Sequence, residues 1–318
     1  IIWLSEIILQ QTRVNQGYNY FVRFVQKYPT IKDLAEADED SILKLWQGLG
    51  YYSRARNLHA AAKTVLDKYN GIFPAEYKDV LSLKGVGEYT AAAIVSFAYN
   101  SPYAVVDGNV YRVLSRIFAI DEPIDSTKGK KLFSELAQEL LDEQNPGAHN
   151  QAIMEFGALQ CVPVSPDCTN CPASAICLAY AGNKTPSYPK KQGKAKTRNR
   201  YFNYFDIQQG DYTYIHKREA KDIWQNLYEL PLIETAGDID LTELMDTESF
   251  SNIFGNSEIR SIQPAYNLKH ILSHQIIYAT FYQISITGKI TGDYEKINID
   301  EMDKYPVSRL VHKYIENK

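Results

Sequence analysis

All four cysteines of this 318-residue chain fall in one short stretch, Cys161, Cys168, Cys171 and Cys177, with the spacing C-x6-C-x2-C-x5-C. No other feature restricts the fold as tightly. Random placement would scatter four thiols. A secreted disulfide scaffold would be shorter and far denser in cysteine than a 36.3 kDa chain. Two options remain, a zinc ion held by four thiolates and an iron–sulfur cluster. Structural zinc sites usually pair two C-x2-C knuckles across a long spacer. Here one close pair is flanked by longer arms, which suits wrapping a cube-shaped group, so a 4Fe–4S cluster is the stronger expectation. Such a cluster carries electrons or serves as a structural staple for residues 162–173.

The rest of the chain divides by texture. Residues 41–47, 53–69, 89–99, 110–120 and 128–141 repeat apolar side chains every three or four positions and read as helices. After about residue 200 the pattern changes. Residues 201–208 and 211–217 alternate around a break at Gln209-Gly210 that reads as a hairpin, and 275–287 reads as a strand. The expected organisation is an all-α domain over 1–183, a basic linker over 184–199 and an α+β domain over 200–318. Hydrophobic residues at 45% and charged residues at 23% exclude a disordered chain. No apolar run approaches the roughly 20 residues that span a bilayer. The apolar start carries Ser5 and Glu6 and lacks a basic flank, so it is no signal peptide. It reads as a helix cut near its beginning, with the natural start upstream, and the expected compartment is the bacterial cytoplasm at the nucleoid, or the nucleus in a eukaryote.

A net charge of −4 argues mildly against nucleic acid as a partner. The distribution argues the other way. Residues 181–200 carry Lys184, Lys190, Lys191, Lys194, Lys196, Arg198 and Arg200 and no acid. Such a run is a solvated linker or lies along phosphates.

Three further places carry chemistry. Leu83-Lys84-Gly85-Val86-Gly87-Glu88-Tyr89-Thr90 sets two glycines at the start of a helix. That is either an anion-binding turn with exposed backbone N–H groups or a plain helix–helix connection. Glu6, Gln10 and Arg13 share a face if one helix runs through them. Glu6 is then a general acid in apolar surroundings or an exposed partner of Arg13. Asp107 precedes a helix, as a second carboxylate or simply as its N-cap.

Together these residues resemble one family. The hairpin, Val106-Asp107-Gly108-Asn109-Val110 and the cysteine loop occur in the order found in the helix–hairpin–helix DNA glycosylases with a 4Fe–4S loop, the endonuclease III superfamily. Within it, Trp3-Leu4-Ser5-Glu6-Ile7-Ile8-Leu9-Gln10-Gln11-Thr12 and Gly50-Tyr51-Tyr52-Ser53-Arg54-Ala55-Arg56-Asn57-Leu58 resemble the adenine DNA glycosylase branch. The resemblance is dense over residues 1–180.

The resemblance implies roles. A target adenine opposite 8-oxoguanine or guanine in duplex DNA would be flipped into a pocket. Glu6 would protonate it and then handle the attacking water. Asp107 would stabilise the sugar cation or capture it, with Tyr89 hydrogen-bonding nearby and Asn109 supporting Asp107. Gln11 and Tyr51 would fill the stack beside the orphan base. Gly85, Val86 and Gly87 would hold the DNA backbone, and Gln151 would contact the adenine edge. Tyr89 stands where lyase-type relatives carry a Lys that forms a Schiff base, so no efficient lyase step is implied. The family's chain continues into a Nudix-like domain, which Trp224-Gln225-Asn226-Leu227-Tyr228-Glu229-Leu230-Pro231 resembles, without a Nudix catalytic box. In it Ser273 and His274 would inspect 8-oxoguanine. Leu272 departs from the Phe the family carries beside them. Family members also carry a segment ahead of Ile1 that helps close the adenine pocket.

The competing enzymatic reading is a bifunctional glycosylase/lyase like endonuclease III. An electron carrier and a non-catalytic damage binder are less consistent with the hairpin and with intact Glu6 and Asp107. The expected enzyme is a monomer acting on double-stranded DNA.

Overall fold

A computed structural model describes residues 1–193 and 197–318. Lys194 and Lys196 of the basic run lie outside the described residues. The chain forms two compact units. One comprises Ile1–Ala35 and Ala60–Lys194, the other Glu36–His59 and Ala195–Lys318. Among the described residues no helix is long and apolar enough to cross a membrane.

Helices run α1 (Ile2–Leu9), α2 (Val14–Lys27), α3 (Ile31–Glu36), α4 (Glu39–Trp46), α5 (Ser53–Tyr69), α6 (Tyr77–Leu81), α7 (Glu88–Tyr99), α8 (Gly108–Ile117), α9 (Thr127–Leu140), α10 (Pro146–Leu159) and α11 (Leu178–Ala181). The centre of the first unit is α7, whose residues from Thr90 to Ser96 are all buried. Ala91, Ala92 and Ala93 let α1, α6 and α10 approach it closely. A Cβ on Gly157 of α10 would come 2.7 Å from the Asn109 Cβ, so that glycine sets the approach of α10 to α8. At α8 the Asp107 carboxylate caps the first turn, and Ser126 does the same for α9.

Two expectations change here. The first helix stops at Leu9, and Gln10 leaves the helical region with ψ 113°. Arg13 caps α2 from an extended backbone, so it shares no helical face with Glu6, and among the described residues no Glu6–Arg13 ion pair forms. The basic stretch is not a free linker as far as residue 192. Tyr188 O accepts from Arg116 Nε (3.3 Å), Lys190 O from Ile124 N (3.1 Å), and Gln192 N donates to Asp125 (2.8 Å). These contacts strap it to the helical unit.

The second unit contains β1 (Arg198–Gln208), β2 (Tyr212–Lys217), β3 (Tyr228–Glu229), β4 (Leu232–Thr235), α12 (Leu241–Met245), α13 (Glu248–Phe254), β5 (Ser257–Ile271), β6 (Gln275–Gly288), β7 (Glu295–Asn298) and α14 (Arg309–Glu316). They form a four-stranded sheet in the order β4-β1-β6-β5 and a three-stranded sheet in the order β3-β2-β7. Phe205, Ile207, Ile284 and Ile286 pack with Phe250 and Phe254 of α13. Tyr204, Phe281 and Tyr314 stack in series, at 4.9 and 4.2 Å between rings.

The turn at Gln209-Gly210 is present, with Gln209 N donating to Tyr212 O (3.0 Å). Tyr212 N donates back to Gln209 O (3.3 Å), so the expected hairpin turn closes as an antiparallel bridge, beyond which β1 and β2 diverge into different sheets. The long β5 has no counterpart in the sequence reading. It is largely exposed, and register shifts beside Ser261 and Pro264 blur its alternation.

The segment Glu36–His59 groups with the C-terminal chain, where a division at the basic stretch alone would put it with the helices. Ion pairs and hydrogen bonds explain this. Asp40 accepts from Lys217 Nζ (2.5 Å), Glu39 from Asn226 Nδ2 (2.5 Å), and Arg56 donates to Gln225 O (2.6 Å).

Candidate active site and cysteine cradle

One pocket of the helical unit, about 830 Å³ including its mouth, is lined by Glu6, Leu9, Gln10, Gln11, Tyr89, Val106, Asp107, Gly108 and Tyr111. Three elements aim their ends at it: α1 supplies Glu6, the first turn of α7 Tyr89, and the N-cap of α8 Asp107. Gln10 is tied to the same place by its Nε2, which donates to Thr90 Oγ1 (3.1 Å).

Burial pushes the Glu6 carboxyl above the ordinary carboxylate range, and its hydrogen bond with Tyr89 offsets part of that rise. Tyr89 is held well above the usual phenol range, first by burial and then by the Glu6 and Asp107 charges. It therefore stays protonated and donates. Asp107 is fixed by three donors. Its Oδ1 accepts from Asn109 N and Val110 N (2.8 Å each) and its Oδ2 from Asn109 Nδ2 (2.7 Å). The N-cap and the pocket carboxylate are thus the same group in one position.

Behind Asp107 runs a buried chain of hydrogen bonds that the sequence reading missed. Arg112 donates to Asn109 Oδ1 (2.9 Å), Gly157 O (2.6 Å) and Cys161 O (2.7 Å). Arg116 donates to Cys161 Sγ (3.3 Å) and Val162 O (2.8 Å). Asn109, Arg112 and Arg116 recur at i, i+3 and i+7 along α8, and that spacing was the available clue. Tyr111 was missed as well, because a helix tyrosine reads as core.

The four cysteines are free of disulfides and line one cavity of about 360 Å³, together with Arg116, Phe156 and Thr185. Among the described residues no three Cys, His, Asp or Glu side chains gather tightly enough to hold a single metal ion. The donor set is soft thiol throughout, which suits zinc or iron–sulfur ligation and not a hard cation.

In the hairpin, Gly85 adopts φ 78° and Gly87 caps α7 without any side-chain hydrogen bond. The first-turn N–H groups of α7 therefore have no side-chain cap. The Val86 side chain is buried and its N–H donates to Leu83 O (3.1 Å), whereas Gly85 and Gly87 are exposed.

Of the remaining expected residues, Gln11 lines the same pocket, and Tyr51, Gln151, Ser273 and His274 are not among its lining residues. Gln11 and Tyr51 are exposed and both hold positive φ, 55° and 47°. Tyr51 lies in the second unit. Gln151 is exposed on α10, donates to Glu155 (2.6 Å) and is not among the pocket-lining residues. Ser273 and His274 are exposed in the turn joining β5 to β6, with Ser273 Oγ and His274 Nδ1 3.2 Å apart.

The HhH-GPD superfamily of base excision DNA repair proteins matches residues 4–141, and the NUDIX domain matches 203–317. Among solved structures, a thermostable thymine-DNA glycosylase superposes with TM-score 0.53 at 31% identity, over 57% of this chain and 83% of that one. An endonuclease III–DNA complex superposes at 0.51 and 23% identity, over 57% of this chain and 84% of that one, a likeness of fold. The adenine DNA glycosylase of Buchnera aphidicola subsp. Baizongia pistaciae is 35% identical over 278 residues, 87% of this chain and 76% of that protein. The human adenine DNA glycosylase is 45% identical over 179 residues, 56% of this chain and 33% of that protein. The chain belongs to the adenine DNA glycosylase family.

Proposed function

We propose that this protein hydrolyses the N-glycosidic bond of adenine mispaired with 8-oxoguanine or guanine in duplex DNA, as a monomer, without an efficient lyase step. The observation that carries this reading is the Glu6–Tyr89–Asp107 pocket, where one carboxyl group is pushed toward its protonated form beside another held by three donors. Two carboxylates in distinct surroundings are what glycosidic cleavage needs. Glu6 gives its proton to the adenine ring as the bond from the sugar to the base breaks. Asp107 faces the cationic sugar that remains and stabilises it electrostatically. Water then attacks the sugar carbon and returns a proton to Glu6. Tyr89 orients Glu6 and has no amine with which to form a Schiff base.

Gly85 and Gly87 hold a DNA phosphate at the start of α7. Gln11 and Tyr51 fill the space beside the orphan base, and a strained backbone at both supports a functional role. Ser273 and His274 read 8-oxoguanine through its added N–H and carbonyl. Gln151 reaches the adenine edge only after leaving Glu155.

The cradle of Cys161, Cys168, Cys171 and Cys177 holds a 4Fe–4S cluster on this reading. Four thiols lining one cavity, with the single close pair Cys168–Cys171 between longer arms, support this group. A cluster there staples residues 162–173 and thereby the Arg112 chain behind Asp107. Iron and sulfide analysis of anaerobically purified protein should give about four of each per chain. Stoichiometric zinc without iron contradicts it.

The functional reading is tested by single-turnover release of free adenine from A:8-oxoG and T:8-oxoG duplexes. Adenine should appear from the first and no base from the second. Release of thymine contradicts the assignment.

A further inference from the structure

Tyr51 is 47% exposed in a turn where Gly50 has φ 79° and Tyr51 φ 47°. A large residue in the left-handed region is strained and persists only where its surroundings over-determine it. Those surroundings lie on both sides of it. Trp46 Nε1 (3.0 Å) and Arg54 (3.1 Å) both donate to Gly50 O. Tyr52, buried, accepts from Gly48 N (3.2 Å) and donates to Val307 O (3.2 Å). The Val307 N–H in turn donates to Gln47 Oε1 (3.1 Å). Both backbone polar groups of Val307 are therefore clamped by residues that flank Tyr51.

From Val307 the connection runs without a break to the 272–274 turn. Val307 bridges Tyr228 of β3, and Tyr228 N donates to Pro306 O (2.8 Å). The next residue, Glu229, accepts from Tyr204 of β1 (3.0 Å). Strand β1 pairs with β6 over its full length, and β6 begins at Gln275, directly after the turn. Arg198 N at the start of β1 donates to His274 O itself (3.3 Å). Every link is a backbone ladder or a part-buried or buried hydrogen bond, so the path is stiff.

We infer that Tyr51 and the 272–274 turn form one recognition body, with Gln47 and Tyr52 as positioning residues. Filling the stack beside the orphan base and inspecting that base then occur together, and a base that fails inspection also weakens insertion of the Tyr51 ring. The inference rests on the reading of Tyr51, Ser273 and His274 given above.

A double-mutant cycle tests it. Affinity is measured for a duplex with non-hydrolysable 2′-fluoro-adenosine opposite 8-oxoguanine, and opposite guanine. The proteins are Tyr51→Ala, Ser273→Ala with His274→Ala, and all three changes together, each with and without Tyr52→Phe. In the native background the combined loss on the 8-oxoguanine duplex should fall short of the product of the separate losses by about tenfold, the range of coupled neighbours. With Tyr52→Phe the losses should multiply. Multiplicative losses in both backgrounds overturn the inference. If Ser273→Ala with His274→Ala alone leaves the preference for 8-oxoguanine intact, the underlying reading fails and the coupling with it. Tyr52→Phe alone should lower that preference about tenfold, the size of one buried hydrogen bond, with the excision rate at saturation unchanged. Equal losses on both duplexes together with a lower melting temperature mark mere packing and overturn it. Gln47→Met, which removes the other half of the clamp, should reproduce the Tyr52→Phe result if that variant folds poorly.

Discussion

The Glu6 pocket lies among buried helices, whereas the 272–274 turn stands in solvent at the end of two strands. In the pocket, burial shifts the proton affinities of Glu6 and Tyr89, and three hydrogen bonds freeze Asp107. The turn offers an exposed hydroxyl and an exposed imidazole, with Ser273 Oγ 3.2 Å from His274 Nδ1. Bond cleavage calls for groups whose protonation is set before substrate arrives, so its site is desolvated and rigid. On the proposed reading, telling one base from another by a carbonyl and an N–H calls for donors and acceptors that duplex DNA can reach, which an exposed turn provides.

The sharpest way to break this contrast is Glu6→Gln. The amide keeps the shape and loses the transferable proton. Single-turnover excision should fall by at least the roughly 10²–10⁴-fold of general acid catalysis, while affinity for the duplex stays near wild type. Excision within about tenfold of wild type, measured against that scale, removes Glu6 from the acid role.

The reciprocal change, Ser273→Ala with His274→Ala, should leave excision from A:G nearly untouched and lower the preference for A:8-oxoG by about ten- to a hundredfold, the worth of one or two hydrogen bonds to a site built for them. A matching loss on both duplexes shows that the turn packs and does not read.

The smallest effect sharpens the pocket side. The acid form of Glu6 is present below its raised pKa and is lost as pH rises through it, so excision should decline on that limb. Tyr89→Phe removes the hydrogen bond that lowers the Glu6 pKa, which then rises further. The alkaline limb of the pH–rate profile should move to higher pH. A limb that stays or moves lower contradicts the assigned contact.

The same contrast governs what the sequence made legible. Helices such as α4 and α9 showed because one face is buried and the periodicity is strong. Strand β5 did not, since a mostly exposed edge with two register shifts has little apolar alternation to read. Glu6, Tyr89 and Asp107 stood in specific motifs, and the structure gathers them on one pocket. Arg112 and Arg116 stayed hidden because a helix arginine is ordinarily solvated, and only tertiary contacts turn these two inward. The grouping of Glu36–His59 with the C-terminal chain depends on pairs such as Asp40–Lys217, far apart in sequence, and local patterning carries no trace of them.

The central claim is hydrolysis of adenine's glycosidic bond by a pocket with two carboxylates and a tyrosine where a lyase needs an amine. The direct measurement is incubation of an end-labelled A:8-oxoG duplex with wild-type protein, followed by electrophoresis with and without hot alkali. The adenine strand should break at the target position only after alkali, which reveals an abasic site left intact by the enzyme. A break of comparable yield without alkali, or a borohydride-trapped covalent complex at full stoichiometry, would contradict the account and assign a lyase in its place.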